Sequence, residues 1–277
     1  MISRTISFFS GFFTDLWRNR RLIIRLSIND FKTRYAGSVM GIFWAFVQPV
    51  ITVLIYWFVF EKGLRAGTQA MGGVAVPFVL FLISGLVPWF FFSDAWPNGT
   101  SSLISYSYLV KKVVFKISIL PIVKVMASIY VHIFFVGVAV VIFAAYGHTP
   151  DFYTLQIVYY SFATFVLSLG LSYITASVVV FFRDLREIIN ILLQILVWVT
   201  PIMWNIETSL PNGMLKKVLQ MNPMYYIVSG YRDAMIYKKW FWEHPGLTIY
   251  FWVVTLLLFG LGMLVFKGLK KHFADVL

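Results

Sequence analysis

Apolar runs dominate the chain, and charged residues only punctuate them. Runs without a charge fall at 41–60, 74–92, 125–146, 152–182, 188–206 and 246–266. A helix that crosses a bilayer needs about 20 mostly apolar residues. The pattern therefore predicts an all-α integral membrane protein with six transmembrane helices. The third span is expected to begin earlier, near Ile119, with Lys124 snorkelling toward the headgroups. The fourth is longer than a crossing requires, so it is expected to tilt or to extend past the bilayer. The first is interrupted by Gln48-Pro49, a polar side chain followed by a helix breaker.

The segments between the runs set the orientation. Arg4, Arg18, Arg20, Arg21, Arg25, Lys32 and Arg34 precede the first span, against Asp15 and Asp30. Lys111, Lys112 and Lys116 follow the second, Arg183 and Arg186 the fourth, and Lys267, Lys270 and Lys271 the sixth. All of these lie on one side if both termini are cytoplasmic, the side positive charge prefers. The outer loop "GHTPD" carries no Lys or Arg. The organisation expected is a cytoplasmic N-terminal region over 1–40, a transmembrane domain over 41–268 and a cytoplasmic tail over 269–277.

The segment 207–245 strains this rule, because it must be external yet holds Lys216, Lys217, Arg232, Lys238 and Lys239. Its stretch "VLQMNPMYYIVSGY" is apolar but too short to cross. Asn222-Pro223 flanks a turn, and Tyr225 and Tyr226 follow it. External re-entrant helices fit that length, and such backbone survives at membrane depth only within protein or along a cavity. The other reading is an ordinary outer loop packed on the bundle.

Composition agrees with the pattern. Apolar residues are 60% of the 277 and charged residues 12%, with a mean hydropathy of +0.82. A soluble domain is nearer half apolar and a quarter charged. The chain has no cysteine, which excludes disulfides and cysteine-ligated metal. The start "MISRTISFFSGFF" does not read as a signal peptide, since its arginines follow the short apolar run and no small-residue cleavage site appears.

Catalytic chemistry finds little support. No phosphate-binding G-x-x-x-x-G-K-[ST] loop occurs, nor H-E-x-x-H, G-x-S-x-G or C-x-x-C. No catalytic residue, metal site or cofactor is assigned to this chain. His132 is the one histidine inside a span, and it reads better as hydrogen-bonded within the bundle than as a proton relay. Asp94 comes nearest to an acidic partner, but "DAWPNGTSS" reads as a break and recap at the end of span two. Energy for transport is therefore expected from a partner. The handle it would grip is a short cytoplasmic helix at about 101–113, with Ser105, Tyr108, Lys111 and Lys112, and with Asn98, Thr100 and Ser101 offering N-cap chemistry. A solvated connector explains that segment equally well.

These features together resemble a known family. "NDFKTRYAGSVMGIFWAFVQPV", "LVPWFFFSDAW", "SYLVKKVVF", "FFRDLREI", "MNPMYYIVSGYR" and "FKGLKKHFADVL" follow the order and spacing of the membrane subunit of bacterial ATP-binding-cassette exporters for surface polysaccharides, the O-antigen, capsule and wall teichoic acid permeases. The match covers nearly the whole chain. One departure concerns the proline usual after the coupling helix: Lys116 follows Phe115, and the proline waits until Pro121. The resemblance implies a homodimer in the bacterial cytoplasmic membrane with two copies of a soluble nucleotide-binding ATPase, which holds the ATP and magnesium. It implies an amphipathic N-terminal helix at the membrane surface, a coupling helix, outer re-entrant helices, and outward movement of a lipid-linked glycan or polyol-phosphate polymer. Membrane lipid is a further partner; nucleic acid is not expected. The rival within the class is an exporter of a drug, antibiotic or lipid; the rival outside it is a scaffold for glycan synthesis without a transport role.

The resemblance also gives residues their roles. Ile24, Ile28, Phe31 and Tyr35 form an apolar stripe beside the basic stripe of Arg18, Arg21, Arg25 and Lys32. Gly37 and Gly41 form a small-xxx-small pair, for close helix approach or a bend. Lys32, Arg34, Tyr35, Gly37 and Gly41 would make a gate for the pyrophosphate head of the substrate. Gln48-Pro49 would bend span one. Trp44, Gln48, Tyr56, Trp57 and Phe60 would line a channel in which sugar rings stack on aromatic faces. Plain membrane anchoring explains the basic segment without a gate, and core packing explains most aromatics.

Overall fold

The computed structural model describes residues 2–277, with 66, 68, 72, 73, 113, 114, 211 and 212 outside the description. The protein is a multi-span all-α membrane protein. Among the described residues, five helical segments are long and apolar enough to cross a bilayer: Gly41–Gly63, Phe78–Thr100, Ile117–Ala145, Phe152–Val179 and Pro245–Val276.

Helix α1 (Ile2–Arg34) is continuous for 33 residues. A turn at 35–40 follows, in which Gly37 takes φ +90° and Gly41 takes φ +50°. A Cβ at either glycine would meet nothing within 4 Å. The pair therefore serves the bend and not close helix approach, because these dihedrals suit glycine. The first span opens as a 3-10 turn at Gly41–Phe43, continues as α2 (Trp44–Trp57) with Pro49 inside it, and closes as a π-helical turn at Phe58–Gly63. Proline withholds the N–H that would reach the carbonyl four residues back.

Span two departs from expectation at both ends. Residues before it form a hairpin of β1 (Gln69–Met71) and β2 (Val74–Val76). Helix α3 (Phe78–Thr100) then runs unbroken through Asp94 and Pro97. Asn98, Thr100 and Ser101 do not cap a new helix. Their side chains donate back to the carbonyls of Asp94, Trp96 and Pro97 at 2.6, 2.9 and 3.0 Å. Back-bonding of this kind satisfies a short polar side chain within the helix it belongs to. The expected coupling helix is two short turns, α4 (Ser102–Ser105) and α5 (Ser107–Val110), with Tyr106 between them. Its expected end at Val113 lies outside the described residues.

Helix α6 (Leu120–Ala145) begins on Pro121 and α7 (Gln156–Val179) follows a capping box at Asp151 and Thr154. Helix α8 (Leu185–Val199) stands at the expected fifth span, 188–206, and stops seven residues before its expected end. Its 15 residues reach about 22 Å, short of a hydrocarbon core of roughly 30 Å, because the helix ends at Thr200-Pro201. Helices α9 (Ile206–Ser209), α10 (Met214–Gln220) and α11 (Pro223–Arg232) fill the next segment. Asn222 caps α11 by accepting from the Met224 N–H at 3.0 Å, with Pro223 pre-set at the first helical position. Helix α12 (Pro245–Leu269) completes the bundle and runs on through a 3-10 turn into α13 (Phe273–Val276), where Phe273 is fully buried against Phe266.

The core divides between the two ends. One cluster gathers Phe81, Trp89, Tyr160, Tyr226 and Tyr231 around α3, α7 and α11. The other gathers Ile23, Tyr106, Tyr173, Phe266 and Phe273 around α1, α6 and α12. Close approach does occur between α7 and α12. A Cβ on Gly262 would stand 2.8 Å from the Gly170 carbonyl oxygen, the small-residue contact that lets helices pack in a membrane.

Candidate functional site

Helix α1 meets the bundle through a polar face. Ile23, Ser27 and Asp30 are buried, while Ile24 and Ile28 stay exposed. Ser27 shares a hydrogen bond with the Tyr130 hydroxyl at 2.8 Å, and Phe31 packs on the Tyr130 ring. Near the middle of the helix Asp15 pairs with Lys116. Of the apolar stripe, Ile24 and Ile28 thus remain exposed while Phe31 packs on the bundle, and the polar residues turn toward protein partners.

Those partners form one charged cluster. Arg34 Nη1 donates to both carboxylate oxygens of Asp94, at 3.2 and 2.9 Å. Its Nη2 lies 3.5 Å from Asp30 on the preceding turn. Asp30 also takes the Lys124 ammonium at 2.6 Å and the Tyr106 hydroxyl at 2.9 Å. Asn98 steadies Asp94 with a 2.8 Å bond. Lys124 therefore does not snorkel, since its side chain is only 14% exposed and is held by the buried Asp30. Burying a lone charge is costly, so charges at such depth are paired. Two cations, Arg34 and Lys124, meet two carboxylates, Asp30 and Asp94. Burial disfavours the Arg34 charge, but Asp94 and then Asp30 outweigh it and raise its pKa. Burial, with Asp30 adding to it, holds the Tyr106 hydroxyl well above its usual range.

The cluster stands at the wall of a cavity of about 590 Å³ between α2, α3 and α6. Tyr35, Trp44, Gln48, Trp89, Asp94 and His132 are among the residues that line it. The walls offer aromatic faces and scattered hydrogen-bonding groups. His132 is bonded within the bundle as expected: its Nε2 lies 2.9 Å from the Ser161 hydroxyl and 3.1 Å from that of Tyr231. Its ring stacks on Phe91 at 4.6 Å.

The residues read from sequence are only partly gathered here. Arg34 and Tyr35 reach the cluster and the cavity; Lys32 is exposed, and Gly37 and Gly41 shape the turn between them. Trp44 and Gln48 line the cavity, whereas Tyr56, Trp57 and Phe60 pack toward the core nearer the hairpin end. Phe60 stacks on Phe78 at 5.6 Å, and Trp57 donates to Glu61 at 2.7 Å. Ser105, Tyr108, Lys111 and Lys112 are exposed on the segment after α3. Tyr225 and Tyr226 are buried and border a second cavity, of about 520 Å³, with Asp233 and His244. Asp30, Lys124 and Tyr106 were missed as site residues. The available signal was Lys124, a lone charge in an apolar helix, which requires a partner within the bundle.

Comparison with known proteins places the chain. The family description "ABC-2 type transporter" matches residues 21–236. "O-antigen export system permease protein RfbA" of Klebsiella pneumoniae is 28% identical over 258 residues, 92% of this chain and 95% of that protein. The protein of the same name from Myxococcus xanthus is 27% identical over 261 residues, 94% and 97% of the two chains. "Polysialic acid transport protein KpsM" of Escherichia coli is 24% identical over 216 residues, 76% of this chain and 80% of that protein. With a family match over most of its length and these relatives aligned nearly end to end, the chain belongs to the ABC-2 type transporters.

Proposed function

We propose that this chain is the membrane subunit of an ATP-driven exporter that moves a lipid-linked surface polysaccharide outward across the bacterial cytoplasmic membrane. The observation that carries this reading is the bond of Arg34, the last basic residue of α1, to Asp94, which lines an aromatic and polar cavity. A phosphate-linked glycan needs a cation for its headgroup and flat apolar faces for its sugars, and that arrangement offers both. The names of relatives aligned over more than nine-tenths of this chain support the same substrate class.

In this reading both termini are cytoplasmic and α1 lies in the membrane surface, with Ile24 and Ile28 toward lipid. The short α8 serves as the fifth of six spans, and 207–245 re-enters from outside. Lys32, Arg34 and Tyr35, set by the Gly37–Gly41 turn, form the substrate gate. Trp44, Gln48, Tyr56, Trp57 and Phe60 line the path. The working unit is a homodimer with two copies of a separate ATPase, which supplies hydrolysis and grips Ser105, Tyr108, Lys111 and Lys112. Tyr106, between the two turns of that segment, ties it to the gate helix through Asp30.

Depleting the chain in its host and assaying surface polysaccharide tests the reading. Loss of the surface polymer with accumulation of its lipid-linked form inside is expected. Unchanged surface polymer, or sensitivity to an exported drug in its place, would overturn it.

A further inference from the structure

The charged cluster holds a contradiction for a gate that reads phosphate. Its charges already balance, two against two, and the hydrogen bonds that Arg34 makes go to Asp94, while its Nη2 has no hydrogen-bond partner among the described residues. Nη1 is bound to both oxygens of Asp94, and Nη2 faces Asp30. The two carboxylates differ, however. Asp30 is buried and held by Lys124 and Tyr106 as well as Arg34, so it stays in place when Arg34 changes partner. Among the described residues Asp94 is held by Arg34 and Asn98, its side chain is 41% exposed, and it borders the cavity. Asp94 is thus the carboxylate a ligand could reach and replace.

We propose that Asp94 is an internal anion that occupies the phosphate-reading face of Arg34 and is displaced when a substrate phosphate arrives. The inference rests on reading the substrate as a phosphate-linked glycolipid. A carboxylate presents two oxygens to a guanidinium much as a phosphate does, so the exchange keeps the geometry of the clasp. A phosphate with more than one negative charge replaces a carboxylate with one, which favours the exchange. A neutral amphiphile offers Arg34 nothing in return and leaves the clasp shut. Asp94 would in this way set selectivity against lipids without phosphate.

The test uses the permease–ATPase complex in phosphatidylcholine nanodiscs, with dodecyl phosphate as the probe. Asp94→Asn is expected to bind the probe roughly five- to tenfold more tightly than the native protein. Asn98→Ala keeps every charge but loosens Asp94, and is expected to tighten binding two- to threefold; it also serves if Asp94→Asn fails to assemble. Arg34→Ala and the exchange variant Arg34→Asp with Asp94→Arg are expected to lose binding. Unchanged or weaker binding in both Asp94→Asn and Asn98→Ala would overturn the internal-anion role and leave the exporter reading intact. Normal binding in the exchange variant would show that the pair is only a clasp, and would also overturn it. Displacement of the probe by equimolar inorganic phosphate would remove the lipid headgroup as the ligand. Export itself is scored separately by the depletion assay, so failure of the two readings is distinguishable.

Discussion

Arg232 lies with its guanidinium 3.6 Å from the centre of the Phe81 ring. From there its two terminal nitrogens donate to the carbonyls of Pro201 and Ile202, each at 2.7 Å. The residue is buried, and burial lowers its pKa to about 10. One side chain therefore pins α11 to α3 and to the Pro201-Ile202 backbone just beyond the end of α8. Gly85 makes room for it, since a Cβ there would stand 3.1 Å from the guanidinium.

Arg232→Lys is expected to be a damaging change despite keeping the charge. A lysine cannot make the forked pair of bonds or lie flat on Phe81. Loss of one charged hydrogen bond costs roughly 1.5–3 kcal/mol. Thermal unfolding in detergent is expected to begin several degrees lower than in the native protein. An unchanged melt would mean that the fork is not holding the outer helices.

Gly262→Ala is expected to push α12 away from α7, because the new methyl meets the Gly170 backbone oxygen. Overpacking of this sort costs about 1–3 kcal/mol. Gly260→Ala, two residues away, meets nothing within 4 Å and is expected to be neutral. Membrane levels and melting of the pair decide; equal behaviour would remove the close-contact account.

Arg34→Ala is expected to reduce export far more than Arg18→Ala, although each removes one positive charge. Arg18 is exposed, and a surface cation contributes about 1 kcal/mol of attraction to anionic lipid. Arg34 holds Asp94 and Asp30. Surface polymer is compared at matched membrane levels of the two variants; equal, small losses would reduce the segment to an anchor.

Tyr106→Phe deletes one hydroxyl, the 2.9 Å bond to Asp30. It is expected to leave assembly with the ATPase intact but lower the amount exported per ATP hydrolysed. Reversing Lys111 and Lys112 together is expected to weaken assembly instead, since single exposed charges contribute little. The ratio of export to hydrolysis separates the two effects, and an unchanged ratio in Tyr106→Phe would dissociate the segment from the gate helix.

Asp233 predicts a pH dependence. Burial lifts its pKa from 3.8 to about 6, while His244, Lys239 and Arg232 pull it down and Glu243 pushes it up. The folded protein thus holds this proton more tightly than the unfolded chain does. The contribution is complete below about pH 4 and is lost as pH rises through about 6, worth on the order of 2–3 kcal/mol. Asp233→Asn is expected to flatten the fall in melting temperature between about pH 4 and 6. A variant that keeps the native slope would assign the effect to another group.

The membrane class, the first span and the basic helix before it were legible in the order of residues. Long charge-free runs can be stable only in lipid, and that constraint acts locally along the chain. Pro223 after Asn222 likewise marked the start of α11, because capping involves only neighbours. The third span began near Ile119 for the same local reason, with Pro121 placed to start it.

Other features depended on residues far apart in sequence. Asp94 looked like the end of a helix because its neighbours Pro97, Asn98 and Gly99 are poor helix formers. Packing against α6 and α7 carried the helix through them, and Arg34, sixty positions earlier, gave the carboxylate its partner. Lys124 looked like a snorkelling side chain until α1 folded back and brought Asp30 to 2.6 Å. Apolar periodicity identifies a helix face but not what covers it. On α1 the buried face is the one with Ser27 and Asp30, because only tertiary contact supplies the hydroxyls and charges that satisfy them. Hydropathy acts along the chain and sets the spans; charge pairing acts across it, so only the folded bundle decided which charges meet.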